Sequence, residues 1–125
     1  SPENYQFLDD LDKYLEDNAE LMRNFFKAEC PEVKMGNACA SFIVFLDFLE
    51  VWPKILEDSK KHPEIYDNDH YILSHFLGHY ANLCLNDGSW FGSGYEAFAR
   101  FNYGTSREEV ISALNAIKKA INALN

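Results

Sequence analysis

Apolar residues recur at three- and four-residue spacing through the first part of the chain, from Leu8 through Leu11, Leu15, Met22 and Phe25 to Phe26. That period predicts one long amphipathic helix over residues 4–28, with Asn18 the polar interruption of its stripe. Asp and Glu crowd its first half, where they suit the helix dipole. Pro31 ends the helix, and Cys30 before it is biased towards extended backbone. The period then shortens. Glu32 to Met35 reads as a short strand and Gly36-Asn37 as a turn. The run Ala40 to Phe48 is short, β-branched and aromatic, which predicts a strand covered on both faces. Lys54 to His62, between Pro53 and Pro63, predicts one or two helical turns. Asp69 is the expected N-cap of a helix reaching about Asn82, with Ile72, Leu73, Phe76, Leu77 and Tyr80 on one face. Leu83-Cys84-Leu85 reads as a strand, Asn86 to Ser89 as a turn, and Gly92-Ser93-Gly94 as a second loop. Ala97 to Tyr103 is the last strand. Ser106 with Glu109, or Thr105 with Glu108, forms a capping box for a final helix with the stripe Val110, Leu114, Ile117, Ile121 and Leu124.

Helices and strands are thus mixed without strict alternation, which predicts an α+β sandwich with about three helices. The 125 residues suit a single domain, 1–125, without internal repeats. The chain opens on Ser1-Pro2 and not on Met, so it is expected to be a piece of a longer protein.

Composition narrows the function classes. The net charge of −9 repels phosphate backbones and anionic membrane surfaces, so neither nucleic acid nor a membrane is an expected partner. No stretch reads as a membrane span, and the polar, acidic N-terminus does not read as a signal peptide. The three cysteines, Cys30, Cys39 and Cys84, form no disulfide framework and sit in apolar surroundings, as buried free thiols do. A cytoplasmic location is the corresponding expectation.

Three features could carry chemistry. Arg100 stands inside an apolar strand, sharing a face with Phe98 and Asn102, while Ala99, Phe101 and Tyr103 share the other. A charge there must reach solvent, a carboxylate partner or a ligand. Its guanidinium fork matches a carboxylate, although twenty Asp and Glu also make an ordinary surface ion pair easy. The loop Asn86 to Gly94 combines glycines, Ser89 and the aromatics Trp90 and Phe91, and such loops often line binding sites; the alternative is a turn with aromatic anchors. His75 and His79 lie one helical turn apart and could share a metal ion, but the metalloprotease Glu beside His75 is missing, and surface or half-buried histidines are the simpler reading. No nucleophile elbow or activated cysteine is visible.

The pieces occur in a recognisable order. Leu15-Glu16-Asp17-Asn18 followed by Pro31-Glu32-Val33-Lys34 is similar to the start of the small domain of fold-type I pyridoxal-phosphate (PLP) enzymes. Ala40 to Phe48 resembles that family's small-aromatic-apolar-Trp-Leu-Asp-Phe strand. Leu85-Asn86-Asp87-Gly88-Ser89-Trp90-Phe91-Gly92 resembles its Leu-Asn-Pro-Gly-Ser-Trp-Phe-Gly loop, and Phe98-Ala99-Arg100-Phe101-Asn102 its closing strand. The resemblance covers nearly the whole chain and points to the C-terminal small domain of an aminotransferase, in the cystathionine β-lyase-like C–S lyase branch. Asp87 for the usual Pro, Phe45 for Trp, Asn37-Ala38-Cys39 for a Pro-Glu pair, and a long segment from Trp52 to Asp69 depart from the pattern.

The resemblance implies a two-layer sandwich whose small sheet is mainly antiparallel. It implies that Arg100 binds the α-carboxylate of an amino-acid substrate, with Trp90 and Ser89 lining the cleft. It implies PLP in the intact enzyme, held mostly by a large domain that carries the Schiff-base lysine. The intact enzyme is expected to be a homodimer of amino-acid metabolism. This chain shows no Ser-x-x-Lys stretch with a following Gly-rich segment. It is therefore expected not to be catalytically competent alone, and no catalytic, cofactor-binding or metal-binding residue is assigned to it. The alternative is a non-catalytic, aminotransferase-like ligand-binding or interaction domain that keeps Arg100 as an anchor.

Overall fold

The computed structural model describes residues 2–38, 42–67 and 70–125. Cys39, Ala40 and Ser41 and the expected cap Asp69 lie outside the described residues, as does the side chain of Trp90. The elements are α1 (Pro2–Glu29), β1 (Lys34–Met35), β2 (Ile43–Asp47), α2 (Trp52–Lys61), α3 (Pro63–Tyr66), α4 (Ile72–Tyr80), β3 (Asn86–Asp87), a 3-10 turn (Gly88–Phe91), β4 (Phe98–Asn102) and α5 (Arg107–Ala123). The strands form one antiparallel sheet in the order β1-β2-β4-β3. The expected α+β sandwich is therefore the observed one, with five α-helices among the described residues in place of three.

The core lies between one face of the sheet and the helices. Val44, Leu46, Ala99 and Phe101 point into it, against Met22 and Phe26 of α1, Leu73, Phe76 and Leu77 of α4, and Leu114, Ile117 and Ile121 of α5. Asn18, the polar residue in the α1 stripe, is buried there. Its Nδ2 donates to the carbonyls of Tyr103 at 3.1 Å and Thr105 at 3.0 Å, tying α1 to the turn before α5. Ser106 caps α5 by accepting from the Glu109 amide at 3.1 Å, as the capping pattern predicts. The Glu109 carboxylate reaches Thr105 Oγ1.

Several local expectations change in the folded chain. Leu8 and Leu11 continue the α1 stripe by spacing, yet both are exposed, because the first half of α1 extends past the elements that bury Leu15 onward. β2 is covered on one face only, since the helices pack on a single side of the sheet, leaving Phe45 exposed on the other. Leu83-Cys84-Leu85 does not pair. Asn82 adopts a left-handed conformation (φ 53) and the Leu83 amide returns to the Leu77 carbonyl at 3.1 Å, so the segment closes α4. Pairing begins one step later, at Asn86–Asp87, where a turn was expected. Cys30 is buried but Cys84 is exposed. The stretch between the two prolines is a ten-residue helix followed by the separate short α3. Pro53 and Pro63 each sit in a first helical turn, where the missing N–H costs nothing.

Candidate functional site

Alternation along β4 sends Ala99 and Phe101 into the core and Phe98, Arg100 and Asn102 to the open face. The register then gives Arg100 its neighbours, Phe45 on β2 and Asn86 on β3. With its amide oxygen turned towards the guanidinium, Asn86 accepts from Arg100 Nε at 3.2 Å and from Nη2. The other side of the guanidinium faces an aromatic ring, with Cζ 6.0 Å from the centre of Phe91. Phe91 in turn meets Phe45 edge-on at 5.4 Å between ring centres. Among the described residues no carboxylate lies within ion-pair distance of Arg100. A half-buried cation is thus oriented by an amide and a ring, with no ion-pair partner among the described residues.

The loop that carries Phe91 is held by a buried acid. Asp87 is 2% exposed. One of its oxygens accepts from the Ser89 amide at 2.9 Å and starts the 3-10 turn. The other accepts from the Ser74 amide at 3.1 Å and hydroxyl at 3.2 Å, in the first turn of α4. Tyr71, the residue preceding α4, makes no side-chain cap, so Asp87 supplies from a distance what a local cap would supply. Gly88 follows because the loop doubles back tightly onto β4: a Cβ there would collide with the carbonyl oxygens of Tyr95 and Phe98.

The structure does not bring all the expected site residues together. Arg100 and Phe91 share the open sheet face, beside an apolar recess of about 350 Å³ lined by Phe45, Phe91, Tyr95 and Phe98. Ser89 lines a different recess, of about 230 Å³, with Trp52, Ile72, Asp87 and Glu96 among its walls. Its hydroxyl oxygen is buried with no hydrogen-bond partner among the described residues. Trp90 lies in the same 3-10 turn. Asn86 and Phe45 escaped the sequence reading because strand register, not local pattern, makes them neighbours of Arg100.

The remaining polar clusters are structural. Tyr66 and Tyr80 both donate to Asp58 Oδ2, at 2.7 and 2.8 Å, pinning α3 and α4 to α2. Burial, with the Asp58 carboxylate, pushes the Tyr80 hydroxyl up to about 12 and that of Tyr66 higher still. Burial likewise pushes the Cys30 thiol up to about 11. His75 meets the edge of Tyr66 and His79 that of Tyr80, and among the described residues no group of three metal-ligating side chains forms. None of the described helices is long and apolar enough to cross a membrane.

No family model matches the chain. Its sequence is 29% identical over 115 residues to cystathionine beta-lyase PatB of Bacillus subtilis (strain 168), across 92% of this chain and 26% of that protein. Its backbone matches a PLP-bound aminotransferase-type protein from Clostridium difficile 630 with a TM-score of 0.73 and 23% identity, over 94% of this chain and 26% of the other. It matches the PLP-bound C–S lyase from Staphylococcus hominis with a TM-score of 0.72 and 22% identity, over 94% of this chain and 28% of the other. The chain has the fold of the small domain of PLP-dependent aminotransferases and C–S lyases. It spans about a quarter of the length of the curated relative it matches.

The lysines of the chain lie on α1, β1, α2 and α5. Lys34, which stands opposite Asp47 in the sheet, is turned to the Pro31 carbonyl and lies 4.0 Å from Glu50, not at Arg100. On the open face of the sheet the chain presents the Arg100 guanidinium between Asn86 and Phe91.

Proposed function

We propose that this chain is the substrate-orienting small domain of a PLP-dependent C–S lyase or aminotransferase, and that Arg100 binds the α-carboxylate of its amino-acid substrate. The observation that carries this reading is the guanidinium on the open sheet face, oriented by Asn86 and Phe91 and without a carboxylate partner among the described residues. Orientation before binding reduces the ordering cost of holding a ligand. A planar fork held this way can take a carboxylate through two parallel N–H donors. The cofactor is a property of the larger protein, in line with the PLP-bound structures that share the fold. There it supplies an electron sink at the substrate's Cα, while this domain fixes the carboxylate and hence the direction in which the Cα bonds point. The chain alone is not catalytically competent. Its partners are the substrate and a large domain of the same protein, which supplies the Schiff-base lysine in a homodimer. Ser89 and Trp90, expected beside the substrate, belong to the 3-10 turn that carries Phe91, and Ser89 faces the neighbouring recess rather than the one beside Arg100. The free thiols Cys30 and Cys84 suit a reducing cytoplasm and a role in amino-acid metabolism.

The test is steady-state kinetics of the full-length protein with Arg100→Ala and Arg100→Lys. Loss of the fork lowers kcat/KM about thirtyfold or more, mainly through KM. Lys restores charge but not the two-point geometry, and recovers only part. Kinetics of Arg100→Ala unchanged within about twofold would remove Arg100 from the site.

A further inference from the structure

The recess beside Arg100 has a wall chemistry of its own. Phe45 stands directly across the sheet from Arg100, and Phe98 lies on the same face of the same strand. Phe91 belongs to both features: its ring faces the guanidinium and its edge meets Phe45. Tyr95 closes the recess against Phe98, with ring centres 5.8 Å apart. All four walls are aromatic, and Phe45, Phe91 and Tyr95 are substantially exposed. The nearest acid in sequence, Glu96, is turned elsewhere; it accepts from the Gly94 amide and lines the Ser89 recess. The volume of about 350 Å³ falls at the small end of ligand pockets, roughly 300–1,000 Å³. That suits one side chain better than a protein surface.

We infer that this recess is the side-chain subsite of the Arg100 site and selects amino acids with uncharged, apolar side chains. The inference rests on the carboxylate reading of Arg100. An amino acid's carboxylate and side chain leave the same Cα. A ligand anchored at Arg100 therefore has its side chain within reach of the ring that faces the guanidinium. An apolar side chain there covers exposed aromatic surface and gains by leaving water. An acidic one loses its hydration against four rings, with no cation among the residues that line the recess, and it competes with the α-carboxylate for Arg100. Phe45 and Phe98 are thus specificity-determining residues and Phe91 a shared wall.

The experiment is calorimetric titration of the full-length protein with α-methylphenylalanine and α-methylaspartate, which lack the α-proton and bind without turning over. The phenylalanine analogue is expected to bind at least about tenfold more tightly. Phe45→Ser reduces that ratio about tenfold, whereas Phe45→Leu, still apolar, largely keeps it. Equal affinities, tighter binding of the aspartate analogue, or a ratio unmoved by Phe45→Ser would overturn the subsite. The anchor is read separately with Arg100→Ala. If that variant weakens both analogues while the ratio ignores Phe45, only the subsite fails. If it weakens neither, the carboxylate reading fails and the subsite with it.

Discussion

Asp87 shows how one side chain can hold a loop in place. It stands where the family loop resembled by this chain has proline, and it is 2% exposed. A proline could restrict the turn, but it could not accept the bonds that Asp87 takes from Ser74 and Ser89. Those bonds join the start of α4 to the start of the 3-10 turn that carries Phe91, the ring facing Arg100. Asp87→Ala leaves two half-buried amides without their acceptor and is expected to cost about 1–2 kcal/mol. Asp87→Asn keeps one carbonyl acceptor and is expected to cost less. Urea denaturation of the chain measures both, and an unchanged midpoint for the alanine variant would show that water serves these amides equally well. The importance of Asp87 was not legible in the sequence, where Asn86-Asp87-Gly88-Ser89 reads as an ordinary turn. Its partner Ser74 is on another element, and no local pattern links them. Arg100 was legible, because a charge within an alternating apolar strand stands out wherever the strand is placed.

At the scale of elements, α1 separates what periodicity controls from what packing controls. The three/four spacing runs through Leu8 and Leu11, and the helix follows it from Pro2 to Glu29. Burial does not follow it so far. Tyr5, Phe7 and Leu8 are 70%, 66% and 53% exposed. Among the described residues Tyr14 makes the first long-range hydrogen bonds of α1, donating to the Thr105 carbonyl and accepting from the Arg107 amide. Helical stability in proteins comes mostly from such packing, and a helix end without it frays. Hydrogen exchange of the chain should therefore show fast amides before Tyr14 and strong protection from Leu15 to Phe26. Uniform protection along α1 would mean that the first half is held by contacts other than those described. The strands show the same division. The apolar run leading into β2 predicted cover on both faces, but a run of that kind cannot say on how many sides the helices pack.

The whole molecule has one continuous core from the sheet through α1, α4 and α5, together with an open sheet face. The chain alone should fold cooperatively, because Val44, Leu46, Ala99 and Phe101 find their partners within it. A mixed helix–sheet circular dichroism spectrum with a single sharp thermal transition is expected. A helix-only or molten spectrum would show that the core needs more of the parent protein. Cooperative folding is compatible with the proposed role of Arg100, since stability comes from the covered face of the sheet and Arg100 lies on the open one.

By itself the sequence determined the long helices, the capped start of α5, the turn glycines and the face on which Arg100 emerges. Each of these follows from interactions between residues a few positions apart: a helical period, a strand alternation, a hydroxyl and an amide one turn away. Only the tertiary structure decided that the helices cover one side of the sheet, that Phe45 and Asn86 flank Arg100, and that Phe91 faces it. It also decided that Ser89 belongs to a different recess. Strand register and loop placement are set by contacts between distant segments, and a local pattern repeats identically in every register until packing selects one.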